Sequence, residues 1–139
     1  MIQRIEASNF KCFKDISLEM SNLNLLSGIN SMGKSTIIQM LLLLRQSYEQ
    51  NALEKGIYLN GKYTNLGVGK DVLYTEAEEN RIKMKISDES TMLSAEYDYN
   101  GMADFLKLLE NIDINMVKDM NLFGSGFNYI AADRLGPQS

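Results

Sequence analysis

Apolar and polar positions alternate from the fifth residue onward. Ile5 and Ala7 interleave with Glu6 and Ser8, and Ile16, Leu18 and Met20 interleave with Ser17 and Glu19. A period of two sends one set of side chains to a core face and the other to water. The pattern therefore predicts two strands, each with one wet face, joined through residues 9–15. Leu23, Leu25 and Leu26, set against Asn22 and Asn24, predict a third, short strand. The rhythm then changes. Ile37, Ile38, Met40, Leu41, Leu42, Leu43 and Leu44 belong to a helix-length segment without Gly or Pro, expected to run from Ser35 to about Asn51. A helix apolar nearly all round is buried on several sides, with Arg45, Gln46 and Glu49 marking its wetter end.

Lys55-Gly56 ends that helix, and turn signals follow at Asn60-Gly61, Gly67 and Gly69. Ile57 to Leu59 and Lys62 to Thr64 read as a tight hairpin around the first of them. Alternation then returns. Ile82, Met84 and Ile86 interleave with Arg81, Lys83 and Lys85, while Leu93, Ala95, Tyr97 and Tyr99 interleave with Ser94, Glu96 and Asp98. With Ser87-Asp88-Glu89-Ser90 between them, the two runs predict an antiparallel hairpin. One outer face is basic and the other acidic, so cross-strand charge pairing accounts for Arg81, Lys83 and Lys85, with contact to a nucleic-acid backbone as the alternative. Residues 103–120 carry Phe105, Leu106, Leu108, Leu109, Ile112, Met116, Val117 and Met120, a helical spacing broken near Asp113. A last apolar strand, Asn128 to Ala132, closes on Asp133.

Between the third strand and the long helix stands Gly28-Ile29-Asn30-Ser31-Met32-Gly33-Lys34-Ser35-Thr36. It fits G-x-x-x-x-G-K-[ST], and its flanks, a strand entering and a helix opening at the lysine, are the context that gives this pattern meaning. Gly28 and Gly33 permit the close backbone approach of a phosphate-binding loop, with N–H groups turned inward on the anion. The helix N-terminus adds partial positive charge. Lys34 is placed to reach the β- and γ-phosphates, Ser35 to complete a Mg²⁺ shell, and Thr36 to open the first helical turn. Gly67-Val68-Gly69-Lys70 repeats Gly-x-Gly-Lys, but has neither the earlier glycine nor the following helix.

Composition narrows the classes. A net charge of −4 gives no electrostatic case for nucleic acid as the dominant partner of this segment. The single cysteine, Cys12, permits no internal disulfide and reads as a small buried hydrophobe. With no histidine at all, a Cys/His metal centre is excluded on inventory. No apolar run approaches the roughly 20 residues that span a bilayer, and no basic-then-apolar leader opens the chain; a cytoplasmic location without membrane contact is the expectation.

Read together, Asn9, Phe10, Lys11, Phe13, Gly28, Asn30, Gly33, Lys34, Ser35 and Thr36 match a strand, N-F-[KR]-x-F-x-x, a second strand and a G-x-N-G-x-G-K-S loop. The opening resembles the RecF/SMC/OLD-like branch of ABC-type P-loop ATPases, and the "LNG…NLG…KD" words resemble bacterial single-chain ATPases of that branch linked to phage defence. Ser31 replaces the middle glycine of the family loop. The resemblance implies an α/β fold, the P-loop NTPase lobe of ABC-ATPase type, with an antiparallel β part beside a sheet carrying the phosphate loop and its helix. It implies ATP and Mg²⁺ as cofactors and a loop made of Gly28, Asn30, Ser31, Gly33, Lys34, Ser35 and Thr36. Lys11 is expected near the phosphates or the base, while Phe10 and Phe13 are expected to pack in the core.

For Asp133 two roles stand open: a Walker B acid holding Mg²⁺ through water, or a plain strand end. In the first case Arg134 occupies the place of the catalytic glutamate. The resemblance favours placing "ADRLGPQS" where such ATPases keep the glutamine that senses Mg²⁺ and the γ-phosphate, which selects Gln138. No signature motif, Asp-Glu pair or switch histidine is found, so residues 1–139 are expected to be one N-terminal lobe, incomplete without a C-terminal half. The implied partners are that half, a second copy of the head on ATP binding, and DNA through the full-length protein. Little turnover is then expected of this segment. Two other classes remain: a small P-loop phosphotransferase, for which four arginines are few, and a non-catalytic interaction domain with a vestigial loop.

Overall fold

A computed structural model describes residues 2–19 and 31–124. The expected strand at Leu23 to Leu26, Gly28 and Asn30 of the loop, the strand at 128–132, Asp133 and Gln138 lie outside the described residues. Within them, β1 (Arg4–Phe10), β2 (Phe13–Glu19), β4 (Arg81–Ser87) and β5 (Met92–Asp98) form an antiparallel sheet ordered β2-β1-β4-β5. A second, two-stranded sheet pairs β3 (Gly56–Tyr58) with β6 (Phe105–Lys107). The long helix α1 (Ser31–Glu49) precedes β3. Two single-turn helices, α2 (Gly69–Val72) and α3 (Ile114–Val117), and a 3-10 turn at Asn121–Phe123 complete the order. No helix among the described residues is long and apolar enough to cross a membrane.

The alternation is realised where it was clearest. Ile5, Ala7, Ile82, Met84, Ile86, Leu93, Ala95 and Tyr97 are all buried and share one cluster with Ile37, Met40, Leu41, Leu43 and Leu44 of α1. Register follows from that burial, since a one-residue slip would turn each strand's apolar set to water. On the outer face Arg81 and Lys83 meet Glu96 at 3.5 and 3.9 Å, and Lys85 meets Glu6 at 3.9 Å. All three cations of β4 thus stand against carboxylates, as cross-strand pairing predicts. Tyr97 is fully buried, and burial pushes its phenol well above the usual range, so it stays neutral.

Five expectations are corrected, the last of them the wet end assigned to Gln46. Residues 103–120 do not make one helix. Phe105–Lys107 pairs with β3, Phe105 packs on Tyr58 at 4.6 Å between ring centroids, and Leu108 N–H donates to the Lys55 carbonyl. Only the break at Asp113 survives, where its carboxylate accepts from Asn115 N–H as the N-cap of α3. Lys62 to Thr64 is not the partner of Ile57 to Leu59. The turn is closed by an isolated bridge between Asn60 and Asn65, and β6 takes the strand position. The helix begins at Ser31, four residues before Ser35, and ends at Glu49. Cys12, expected to be buried, is exposed at the β1–β2 turn.

Gln46 belongs to the core rather than to a wet end. It is 1% exposed and holds the 58–64 segment to α1 through both ends of its amide. One turn further on, Glu49 receives the Tyr63 hydroxyl, the Arg45 guanidinium at 2.6 Å and Lys62 at 3.9 Å. The Tyr63 hydrogen bond is the largest influence and holds its carboxyl below the ordinary 4.5; burial, the next largest, opposes it, and Arg45 and then Lys62 add smaller lowering contributions. A lowered native value contributes stability that is present above the unfolded value and lost as pH falls through the native one. Tyr63→Phe is therefore expected to lower stability by less than about 1 kcal/mol near neutrality. The deficit should shrink toward zero as pH is taken below 4.5. Denaturant melts of both proteins across that range check it, and a pH-independent difference would contradict the assignment.

Candidate phosphate site at the start of the long helix

The first turn of α1 contains no acidic residue, and Lys34 and Ser35 stand exposed on it while Gly33 and Thr36 are buried. A helix start carries partial positive charge, to which Lys34 adds a full one. The two hydroxyls differ. Thr36 Oγ1 donates to the Met32 carbonyl at 2.9 Å, bonding back along the helix. Ser35 is the exposed hydroxyl of the pair.

A second segment is brought to this turn. The thiol of Cys12 lies 3.5 Å from Thr36 Oγ1, which sets the β1–β2 turn against the helix start. Lys11, next to it, has φ 51° and Asn9 has φ 59°, left-handed conformations that non-glycine residues adopt only when their surroundings hold them. The hold is visible. Lys11 N–H donates to the Val72 carbonyl at 2.7 Å, the Asn9 carbonyl accepts from Tyr74 N–H at 2.9 Å, and Asn9 Nδ2 donates to the Arg81 carbonyl at 3.0 Å. Phe10 bridges to Leu73 and is fully buried, and Phe13 packs against the core, as expected of both.

The structure thus brings Lys11, Gly33, Lys34, Ser35 and Thr36 to one corner. Ser31 is the first residue of the helix. Val72 and Tyr74, more than 30 residues downstream of Lys34, were missed by sequence reasoning because only long-range backbone bonds place them.

The corner fits an anion with its own metal. No cluster of three or more His, Cys, Asp or Glu that could hold a metal exists among the described residues. A divalent ion would therefore be held jointly by phosphate oxygens and the Ser35 hydroxyl. No curated protein and no solved structure significantly resembles the chain as a whole. The family described as AAA ATPase domain matches over residues 1–128, from the first strand past the 3-10 turn. With nearly the whole chain matched, this protein belongs to the AAA ATPase domain family.

Proposed function

We propose that the chain is the ATP-binding N-terminal lobe of a RecF/SMC/OLD-like ATPase of ABC type. The observation that carries this reading is the exposed Lys34–Ser35 pair on a helix turn free of carboxylates, in a chain of an ATPase family. Lys34 neutralises the terminal phosphates, and the turn's N–H groups, with Gly28, Asn30, Ser31 and Gly33, cradle them. Ser35 orients the metal, and Lys11 approaches from the β1–β2 turn. Mg²⁺, which the Ser35 hydroxyl would help to hold, would neutralise charge on the phosphates. The antiparallel β1–β2 pair ahead of α1, with β4 and β5 added to it, supports the ABC-type reading over a compact phosphotransferase.

In the same reading hydrolysis requires a C-terminal half and a second head that close over the nucleotide. Gln138 or Asp133 would then help to hold the metal. The full-length protein works in the cytoplasm on DNA, in repair or phage defence.

Calorimetry of the 139-residue chain with ATP and Mg²⁺ tests this reading. Saturable, Mg²⁺-dependent binding with Kd on the order of 0.1–1 mM is expected, with phosphate release well below 1 s⁻¹. Absence of binding at millimolar ATP would overturn the site. Turnover of roughly 1 s⁻¹ or more, typical of complete enzymes, would overturn the incomplete lobe.

A further inference from the structure

The aromatic side chains of the described residues are nearly all accounted for by packing. Tyr48 stacks on Phe123, Tyr58 packs tilted against Phe105, Tyr63 bonds Glu49, and Tyr97, Phe10 and Phe13 belong to the core. Tyr74 is different. It is half-buried and stands outside the core cluster that its neighbour Leu73 packs against. Its side chain makes no hydrogen bond or ring contact among the described residues.

The backbone that carries it is nevertheless fixed on both sides. Tyr74 N–H donates to Asn9, and its carbonyl accepts from Ala77 N–H at 3.0 Å. A half-buried ring on a backbone held at both sides is a ready platform for a flat ligand.

Its place in the fold says which ligand. Asn9, its backbone partner, is three residues from Cys12, whose thiol touches Thr36 at the helix start. Three extended residues span at most about 10 Å, and paired strands lie about 5 Å apart. The Tyr74 backbone is thus within roughly 15 Å of the Cys12 turn. A nucleoside triphosphate with its phosphates on Lys34 extends over that span.

Charge sets the direction. Lys34, Lys11 and the helix turn make the phosphate end positive, while Glu76, Glu78 and Glu79, all exposed, follow Tyr74 and repel phosphate from its end. Resting on the phosphate-site reading above, we infer that Tyr74 stacks on the nucleobase. It orients ATP base-outward from the helix start and supplies the affinity by which a nucleotide is preferred to a bare polyphosphate.

The test compares two probes, ATP and inorganic tripolyphosphate, each with Mg²⁺, titrated calorimetrically into the 139-residue chain. The wild type is expected to prefer ATP by about tenfold, the size of one base–aromatic stack. Tyr74→Ala should lose that preference with tripolyphosphate affinity unchanged, and Tyr74→Phe should keep it. Tyr74→Leu replaces the alanine variant if thermal melts show that one unfolded. Equal wild-type affinities for the two probes, or a Tyr74→Ala variant that retains the preference or weakens both probes alike, would overturn the stacking while leaving the phosphate site standing. Failure of the wild type to bind either probe would overturn both.

Discussion

Lys34→Ala is expected to weaken Mg²⁺·ATP binding by about 30- to 100-fold, which at the affinity expected here removes saturable binding from the accessible range. A charge-assisted hydrogen bond contributes about 1.5–3 kcal/mol, and each 1.4 kcal/mol is tenfold in affinity. Lys34 meets the conditions for the upper part of that range. It stands on a first helical turn without acidic residues, so no carboxylate of that turn competes with phosphate for its ammonium. Its exposure means that the same substitution should leave thermal stability within about 0.5 kcal/mol. Loss of binding therefore cannot be confused with loss of fold. Lys34→Arg should recover part of the affinity, because charge returns while the compact ammonium does not. Isothermal titration of the three proteins, beside their melting curves, decides it. An alanine variant that binds ATP within threefold of wild type would show that the phosphates do not sit at this turn.

How far such a result was legible in the sequence differs between elements. The helix after Gly33-Lys34-Ser35 and the exposure of Lys34 and Ser35 on its first turn were readable because the motif is local: a glycine, a cation and a hydroxyl at fixed spacing before an apolar helix. The β4–β5 hairpin was readable because strict alternation over seven residues on each side leaves one register in which both apolar sets are buried. Residues 103–120 misled because Phe105, Leu106, Leu108 and Leu109 satisfy a helical spacing as well as a strand that folds onto a distant partner. The deciding bonds, Leu59 N–H to the Asp104 carbonyl at 2.8 Å and Leu108 N–H to Lys55, come from residues nearly 50 positions away. Tertiary pairing overrode local periodicity there.

The same reason hid what fixes the turn that carries Lys11. Nothing within a few residues of Lys11 says that Val72 and Tyr74 will fix its turn. The exposure of Cys12 follows from that turn, whose position against Thr36 is set by the pairing of β1 with β2 and with the chain at Leu73. Composition predicted a buried cysteine; position in a two-residue turn decided otherwise.

Gln46 shows the converse, a polar residue whose role is structural, and its replacement should be the most damaging single change to the fold outside the apolar core. The Oε1 atom accepts from Tyr63 N–H and Thr64 N–H, each at 3.1 Å, and Nε2 donates to the Tyr58 and Thr64 carbonyls at 3.1 and 3.3 Å. Four backbone groups, the Tyr58 carbonyl at the end of β3 and three in the loop after it, thus bond a single buried amide, and of these the Thr64 carbonyl also accepts from Gly61 N–H at 3.0 Å. Gly61 is confined by it as well, since a Cβ there would stand 3.0 Å from Gln46 Cδ. Gln46→Leu preserves volume but leaves the Tyr63 and Thr64 N–H groups and the Tyr58 carbonyl without this partner, while the Thr64 carbonyl keeps the Gly61 N–H. At about 1–3 kcal/mol for each buried group left unsatisfied, and with the loop free to move part of them into water, a loss of about 3–4 kcal/mol is expected. That corresponds to a fall in melting temperature on the order of 10 °C for a chain of this size. Gln46→Glu should not rescue it, because a carboxylate keeps the acceptor but sets charge against two carbonyls in a buried place. Amide hydrogen exchange locates the effect: the Tyr63 and Thr64 amides should lose protection while those of β4 and β5, which do not depend on this loop, keep theirs. A leucine variant as stable as wild type would mean that the loop finds other partners and that the amide of Gln46 does not set its conformation.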